Sequence, residues 1–224
     1  MNQDIRTFFK VTPIINTSNP SNKQENETNT LETINTIKTI NTIQNIKTIK
    51  KISVFTDGSS FNNGSKTKKH SGGIGIFFGD GDSRNQSIKL VESEKQPITN
   101  NIAELKACIK AIELIFVTEQ HKNVTEQITI IIYTDSEYVI NSITKWAKMW
   151  KFNGWKRKDG TKFKDIKNKQ LIETLFNLYN TNKIRFKHVR AHKTKPNKPT
   201  TSQEYIEWYG NYMADKLATD ASRE

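Results

Sequence analysis

Four acidic residues offer the chemistry in this sequence: Asp57 in VFTDGSS, Glu104 in NNIAELKA, Asp135 in YTDSEYV and Asp215 in NYMADKLA. Carboxylates gathered at one point repel one another and raise each other's pKa. Divalent cations remove that cost. Oxygen-only donors suit Mg²⁺, which keeps several waters and accepts phosphate oxygens from a substrate. Two such ions about 4 Å apart can clamp a phosphodiester, one generating hydroxide and the other steadying the leaving oxygen. Taken singly, each acid reads equally well as a solvated surface charge, a turn residue or a helix cap. The chemistry requires all four to converge.

The segments around them predict how convergence would be achieved. Residues 51–57 (KISVFTD) read as a strand ending in a carboxylate, and the GSSFNNG that follows as turn chemistry. Residues 72–79 (GGIGIFFG) and 87–94 read as two more strands, linked tightly enough for an antiparallel meander. From Asn100 to about Glu119, Leu105, Ile109, Ile112 and Phe116 recur at three and four residues, which predicts a helix with one apolar face. The run ITIIIY at 128–133 is almost wholly apolar, the mark of a strand covered on both faces. Helices are expected over 135–146, 169–179 and 204–221, and a fifth strand over 183–189. That order predicts an α/β fold, a mixed five-stranded sheet with helices on its faces. If the first and fourth strands are parallel neighbours, Asp57 and Asp135 emerge at one sheet edge, where α/β sheets bind ligands.

The rest of the chain narrows the partner. A net charge of +12 favours a polyanion, nucleic acid before membrane. A single cysteine, Cys108, excludes a disulfide framework and a multi-cysteine zinc site within one chain and fits a reducing intracellular compartment, with cytoplasm and nucleus not distinguished. No apolar stretch is long enough to span a bilayer, no secretory signal is expected, and a monomer is expected. Residues 145–169 carry ten Lys or Arg against two Asp, interleaved with Trp146, Trp150, Phe152 and Trp155, a pattern suited to phosphates and sugars. Residues 11–50 read as a low-complexity, disordered linker, because isoleucine repeats every three residues from position 34 and that period fits neither helix nor strand. The catalytic domain is expected over 51–224. At the N-terminus, within 1–10, Ile5, Phe8 and Phe9 have the spacing of a short helical turn that fills a groove. Against this stands a chance apolar cluster at a polar chain end.

TDGS at 56–59, TNNIAELKA at 99–107, TDSEYVI at 134–140 and GNYMADKLA at 210–218 occur in this order, each with its acid in register. Together they resemble the four catalytic motifs of type 1 ribonuclease H, over roughly residues 51–221. The resemblance implies a ribonuclease H-like fold and an endonuclease that cuts the RNA strand of RNA–DNA hybrids, in replication or in primer and R-loop removal. It implies that Asp57, Glu104, Asp135 and Asp215 hold two Mg²⁺ ions, with Mn²⁺ a possible substitute. His192 in HVRAH is similar to the family's mobile histidine, which helps proton movement or product release. Here 22 residues, 193–214, separate it from Asp215, where the family usually has a short loop. The resemblance further implies that Asn63, Asn100, Asn101 and Glu104 contact the RNA strand, and Thr99, Trp146, Trp150, Trp155 and Asn168 the DNA strand. Ile5, Phe8 and Phe9 resemble a peptide that binds a replication sliding clamp, although Asn2 stands where a glutamine is usual. The reading from another class is a non-catalytic, clamp-associated hybrid-binding module, against which the four intact acids argue.

Overall fold

A computed structural model of the protein describes residues 49–61, 70–92, 98–119 and 127–224. The N-terminal peptide with Ile5, Phe8 and Phe9, the linker up to residue 48, and Asn63 lie outside the described residues. The linker's last expected residues, Ile49 and Lys50, belong instead to the first strand.

The strands are β1 (Ile49–Phe61), β2 (Ser71–Phe77), β3 (Gln86–Leu90), β4 (Gln127–Thr134), β5 (Lys156–Asp159), β6 (Lys162–Asp165) and β7 (Lys183–His188). The helices are α1 (Asn100–Glu119), α2 (Glu137–Asn141), α3 (Ala147–Phe152), α4 (Lys169–Thr181) and α5 (Gln203–Arg223), with a π-helical turn at Ser142–Trp146 joining α2 to α3. The main sheet runs β3-β2-β1-β4-β7. Its first three strands are antiparallel, and β1, β4 and β7 are parallel. This is the mixed five-stranded sheet that the pattern predicts.

Side chains alternate across a strand, so β1 feeds two cores. Ile52 and Val54 join Ile74, Ile76, Ile130 and Ile132 beneath α1 and α4. Phe55 joins Phe77, Tyr133 and Ala214 beneath α5, with Tyr209, Met213 and Leu217 packed against them. Each fully buried aliphatic side chain contributes roughly 1.5–3 kcal/mol, so both faces hold the central strands firmly in register. The continuous apolar run in β4 follows from this double burial.

Two segments depart from the expected pattern. Gly58–Phe61 do not turn; they continue β1 and pair with Ser71–Ile74 of β2. Local turn signals yield there to the ladder with β2, and Asp57 therefore sits inside a strand, not at its end. The β5–β6 hairpin is a second, two-stranded sheet with every residue exposed. Its run of charges carries no hydrophobic period, so nothing in the sequence pattern marks it as strand.

The glycines of β2 set the seat of α5. A Cβ at Gly75 would lie 1.9 Å from the Ala214 carbonyl oxygen, and one at Gly73 would lie 2.0 Å from that of Ala218. Helix and strand backbones are in direct contact, and Ala214 precedes Asp215. Gly75→Ala is expected to lift α5 and cost about 3 kcal/mol or more of stability, the upper range for forcing atoms into a packed interior. Urea denaturation checks this; an unchanged midpoint would contradict the close approach.

Candidate active site

The parallel register of β1 and β4 pairs Phe55 with Tyr133. Two residues further on come Asp57, still within β1, and Asp135, the residue that follows β4, close enough for their charges to interact. Across the β1–β2 ladder Asp57 faces Gly75, the residue on which Ala214 rests, so Asp215 joins from α5. The neighbouring Gly58 serves the opposite face. A Cβ there would lie 2.2 Å from the Glu104 backbone nitrogen, so only glycine lets the first turn of α1 bring Glu104 against β1. The dipeptide Asp57–Gly58 thus supplies one carboxylate and makes room for a second.

The four acids feel one another. Asp57 is 8% exposed, and its pKa is pushed up to about 7, first by burial, then by the charges of Asp135, Asp215 and Glu104, against the opposing Gly58 N–H. Asp135 is raised by burial and by Asp215, while a hydrogen bond from Asn211 and the nearby His192 hold it down. Glu104 is raised by burial and by Asp135, and Ser136 Oγ opposes this by donating to its Oε2 at 2.5 Å.

Ser136 and Asn211 escape the sequence reading. Ser136 caps α2, accepting from the Val139 N–H at 3.2 Å while it donates to Glu104. A serine at that position announces only a helix start. Asn211 is one helical turn before Asp215 on the same face, which is the one signal that would have found it. If Glu104 holds a cation, as the motif resemblance implies, Ser136→Ala is expected to lower kcat on an RNA–DNA hybrid about tenfold, the usual range for a residue that orients a metal-holding carboxylate. Steady-state hydrolysis checks this; an unchanged rate would make Ser136 a helix cap only.

The donor set fits a hard divalent cation. Its oxygens are carboxylates that are costly to ionise together, and the buried Asn211 Oδ1 has no hydrogen-bond partner. The one thiol of the chain is no competing soft ligand: Cys108 is buried, its pKa is pushed up to about 12 by that burial, and it lies 3.4 Å from Thr56 Oγ1. Among the described residues the acids do not close into a ready-made cluster of three ligands. The arrangement is an open half-shell with space for water and substrate oxygens.

His192 reaches this place by way of β7. The Val189 N–H donates to the Thr134 carbonyl at 3.1 Å, extending the β4–β7 pairing, and His188 Nε2 lies 3.2 Å from the Asp135 carbonyl. His192 itself is exposed, has a left-handed backbone (φ 50°), and shares a small cleft with Asp135, Asn211 and Asp215. The long insertion does not carry it away, because Trp208 Nε1 of α5 donates to the Lys193 carbonyl at 2.9 Å.

The expected nucleic-acid residues divide. Asn100 Oδ1 accepts from the Ser60 N–H at 2.9 Å and Ser60 Oγ at 2.7 Å, which leaves its amide N–H groups to donate outward. Asn101 is exposed beside it on α1. Thr99 caps α1, its Oγ1 accepting from the Ile102 N–H at 3.3 Å. Asn168, also left-handed (φ 58°), donates to Tyr138 Oη at 3.1 Å. Trp146 is 41% exposed and tilted against Trp150, their centroids 5.5 Å apart. Trp150 is packed partly against the core. Trp155 corrects the expectation of a DNA contact: it is 9% exposed and packs edge-on against Phe176, so its ring is not a stacking surface. No helix among the described residues is long and apolar enough to cross a membrane.

Comparison with known proteins identifies the family and the fold. The RNase H family model matches residues 49–223. Ribonuclease H of Schizosaccharomyces pombe is 34% identical over 171 residues, covering 76% of this chain and 53% of that one, so the chain spans about half that relative's length. Ribonuclease H of Clostridium botulinum is 32% identical over 172 residues, covering 76% of this chain and 95% of that one. A foamy viral protease-reverse transcriptase solved with an RNA/DNA hybrid superposes with a TM-score of 0.53 at 26% identity, covering 76% of this chain and 20% of that one. Four acids carried by β1, α1, the residue that follows β4, and α5 around a β3-β2-β1-β4-β7 sheet, under a family match that spans the sheet from end to end, place the chain in the RNase H family.

Proposed function

We propose that this protein hydrolyses the RNA strand of RNA–DNA hybrids with the help of two divalent cations, Mg²⁺ or in its place Mn²⁺. The convergence of Asp57, Glu104, Asp135 and Asp215 carries the reading, because cations between them would offset the cost of ionising four partly buried acids together. The hybrid bound by the foamy viral relative supports the substrate class.

Bound cations would polarise the scissile phosphate and make a bound water acidic enough to attack it. The chain's own residues do the rest. Asp57, flanked by Asp135, Asp215 and Glu104, would serve both ions. Asn211 and Ser136 hold Asp135 and Glu104 in position. His192, close enough to Asp135 to stabilise its charge, moves a proton on an imidazole nitrogen during turnover or release. The amide of Asn100, pinned by Ser60, donates to a 2′-hydroxyl, the group that separates RNA from DNA; Asn101 and Asn63 join it. Trp146, Trp150 and the β5–β6 hairpin, with Lys156, Arg157, Lys158, Lys162 and Lys164, receive the DNA strand.

In the cell, removal of primers or R-loops during replication fits the reading. Ile5, Phe8 and Phe9 would tether the nuclease to a sliding clamp. The deciding assay incubates the protein with a labelled hybrid, an RNA duplex and a DNA duplex, in Mg²⁺ and in EDTA. Metal-dependent cutting of only the hybrid's RNA strand is the expected result. Binding of hybrid without cutting in either Mg²⁺ or Mn²⁺ would leave a hybrid-binding module in its place.

A further inference from the structure

The insertion between His192 and Asp215 ends in an unusually aromatic first half of α5: Tyr205, Trp208, Tyr209 and Tyr212. Trp208 and Tyr212 stack nearly parallel, centroids 5.6 Å apart at 11°. They do not fill the core beneath α5, where Tyr209, Met213 and Leu217 pack. Tyr212 is 49% exposed. Instead they wall the cleft that holds Asp135, His192, Asn211 and Asp215, together with the exposed Arg190 and Lys193. On its other side Trp208 borders a larger open groove of about 700 Å³, lined also by Arg190, by Lys193 and Pro196 of the insertion, and by the carboxylates Glu204 and Glu207. Trp208 is thus a ridge between the cleft that holds the acids and a second groove of mixed charge, in which Arg190 and Lys193 lie at the ridge.

We infer that this ridge is a subsite for the RNA strand next to the scissile phosphate: Trp208 and Tyr212 pack against a ribose, and Arg190 and Lys193 take the adjoining phosphate. The inference rests on the hybrid-nuclease reading. The strand that is cut must lie over Asp135 and Asp215, and its next nucleotide must cross the wall of that cleft. Bases of a hybrid are paired and stacked, so what the strand offers sideways is sugar and phosphate. Flat rings beside two cations match that surface. The insertion's role is to supply Lys193 and hold it, through the Trp208 Nε1 bond to its carbonyl.

Steady-state cleavage of a labelled RNA–DNA hybrid in Mg²⁺ by the full chain tests this. Tyr212→Ala is expected to raise KM about five- to tenfold, more than it lowers kcat, by analogy with loss of a stacking contact. Arg190→Gln is expected to flatten the dependence of log KM on log salt by about one phosphate contact. Trp208→Phe keeps a ring and loses the donor to Lys193, so it should be milder than Trp208→Ala. If Tyr212→Ala and Arg190→Gln both keep KM within twofold of the wild type, the subsite is overturned. The same follows if Trp208→Phe is as damaging as Trp208→Ala, since the indole would then act only by holding the loop. A wild-type protein that cuts no hybrid overturns the nuclease reading and this one with it, whereas normal cutting with indifferent variants overturns the subsite alone.

Discussion

Asp135→Asn is expected to abolish hydrolysis, lowering kcat by at least about a thousandfold, while the folded protein still binds hybrid. The substitution keeps the shape of the side chain. It removes one negative charge from the ring formed with Asp57, Glu104 and Asp215, and an amide is a far poorer partner for a hard cation than a carboxylate. A thousandfold loss corresponds to about 4 kcal/mol of transition-state stabilisation, within reach of one lost metal-holding group. Binding should survive, because the Lys and Arg residues of the β5–β6 hairpin and the exposed Trp146 belong to other elements. Single-turnover cleavage and fluorescence anisotropy on the same hybrid separate the two effects. A variant that keeps a tenth of wild-type activity would remove Asp135 from the chemistry, and one that neither cuts nor binds would mean the site was lost as structure.

Most of this candidate site is legible in the sequence because its four acids lie in local motifs. Asp57, Glu104 and Asp215 each sit in an expected strand or helix, Asp135 sits between an expected strand and helix, and the topology that joins them follows from the run of elements. What escaped was whatever depends on two distant segments at once. The strand character of Gly58–Phe61 comes from pairing with Ser71–Ile74, and the local turn signals in GSSF gave no hint of it. Gly58 reads as turn chemistry and Gly75 as an ordinary strand position, yet each marks a point where a helix rests directly on a strand. Ser136 and Asn211 are ordinary polar residues until folding sets them beside Glu104 and Asp135. Trp155 misled for the converse reason: an aromatic among lysines resembles a nucleic-acid platform, but after a left-handed turn (φ 63°) its ring folds inward onto Phe176.

Asp57→Asn is expected to make the metal-free protein more stable at pH 8, by up to about 4 kcal/mol, and to change stability little at pH 4. The sign follows from proton binding. The Asp57 carboxyl has a native pKa of about 7, against 3.8 for the ordinary side chain. Between those values the native state holds a proton that the unfolded chain has released, so wild-type stability falls as pH rises from about 4 to about 7 and is then level. The difference of about three pKa units sets the upper bound of about 4 kcal/mol, to be shared with the other acids because they titrate together. Asparagine carries no charge at any pH and escapes both causes, burial first and the repulsion of Asp135, Asp215 and Glu104 second. Mg²⁺ should repair the wild type in the same pH range by pairing the charges, and should help Asp57→Asn less. Urea denaturation of both proteins at pH 4 and pH 8, with and without Mg²⁺, gives the four comparisons. An Asp57→Asn variant no more stable than wild type at pH 8 would mean that Asp57 is solvated in the native protein, and the buried carboxylate cluster would lose its centre. The predicted result would make the instability functional: a cation at this edge of the sheet would relieve the strain of holding Asp57 ionised beside three other acids.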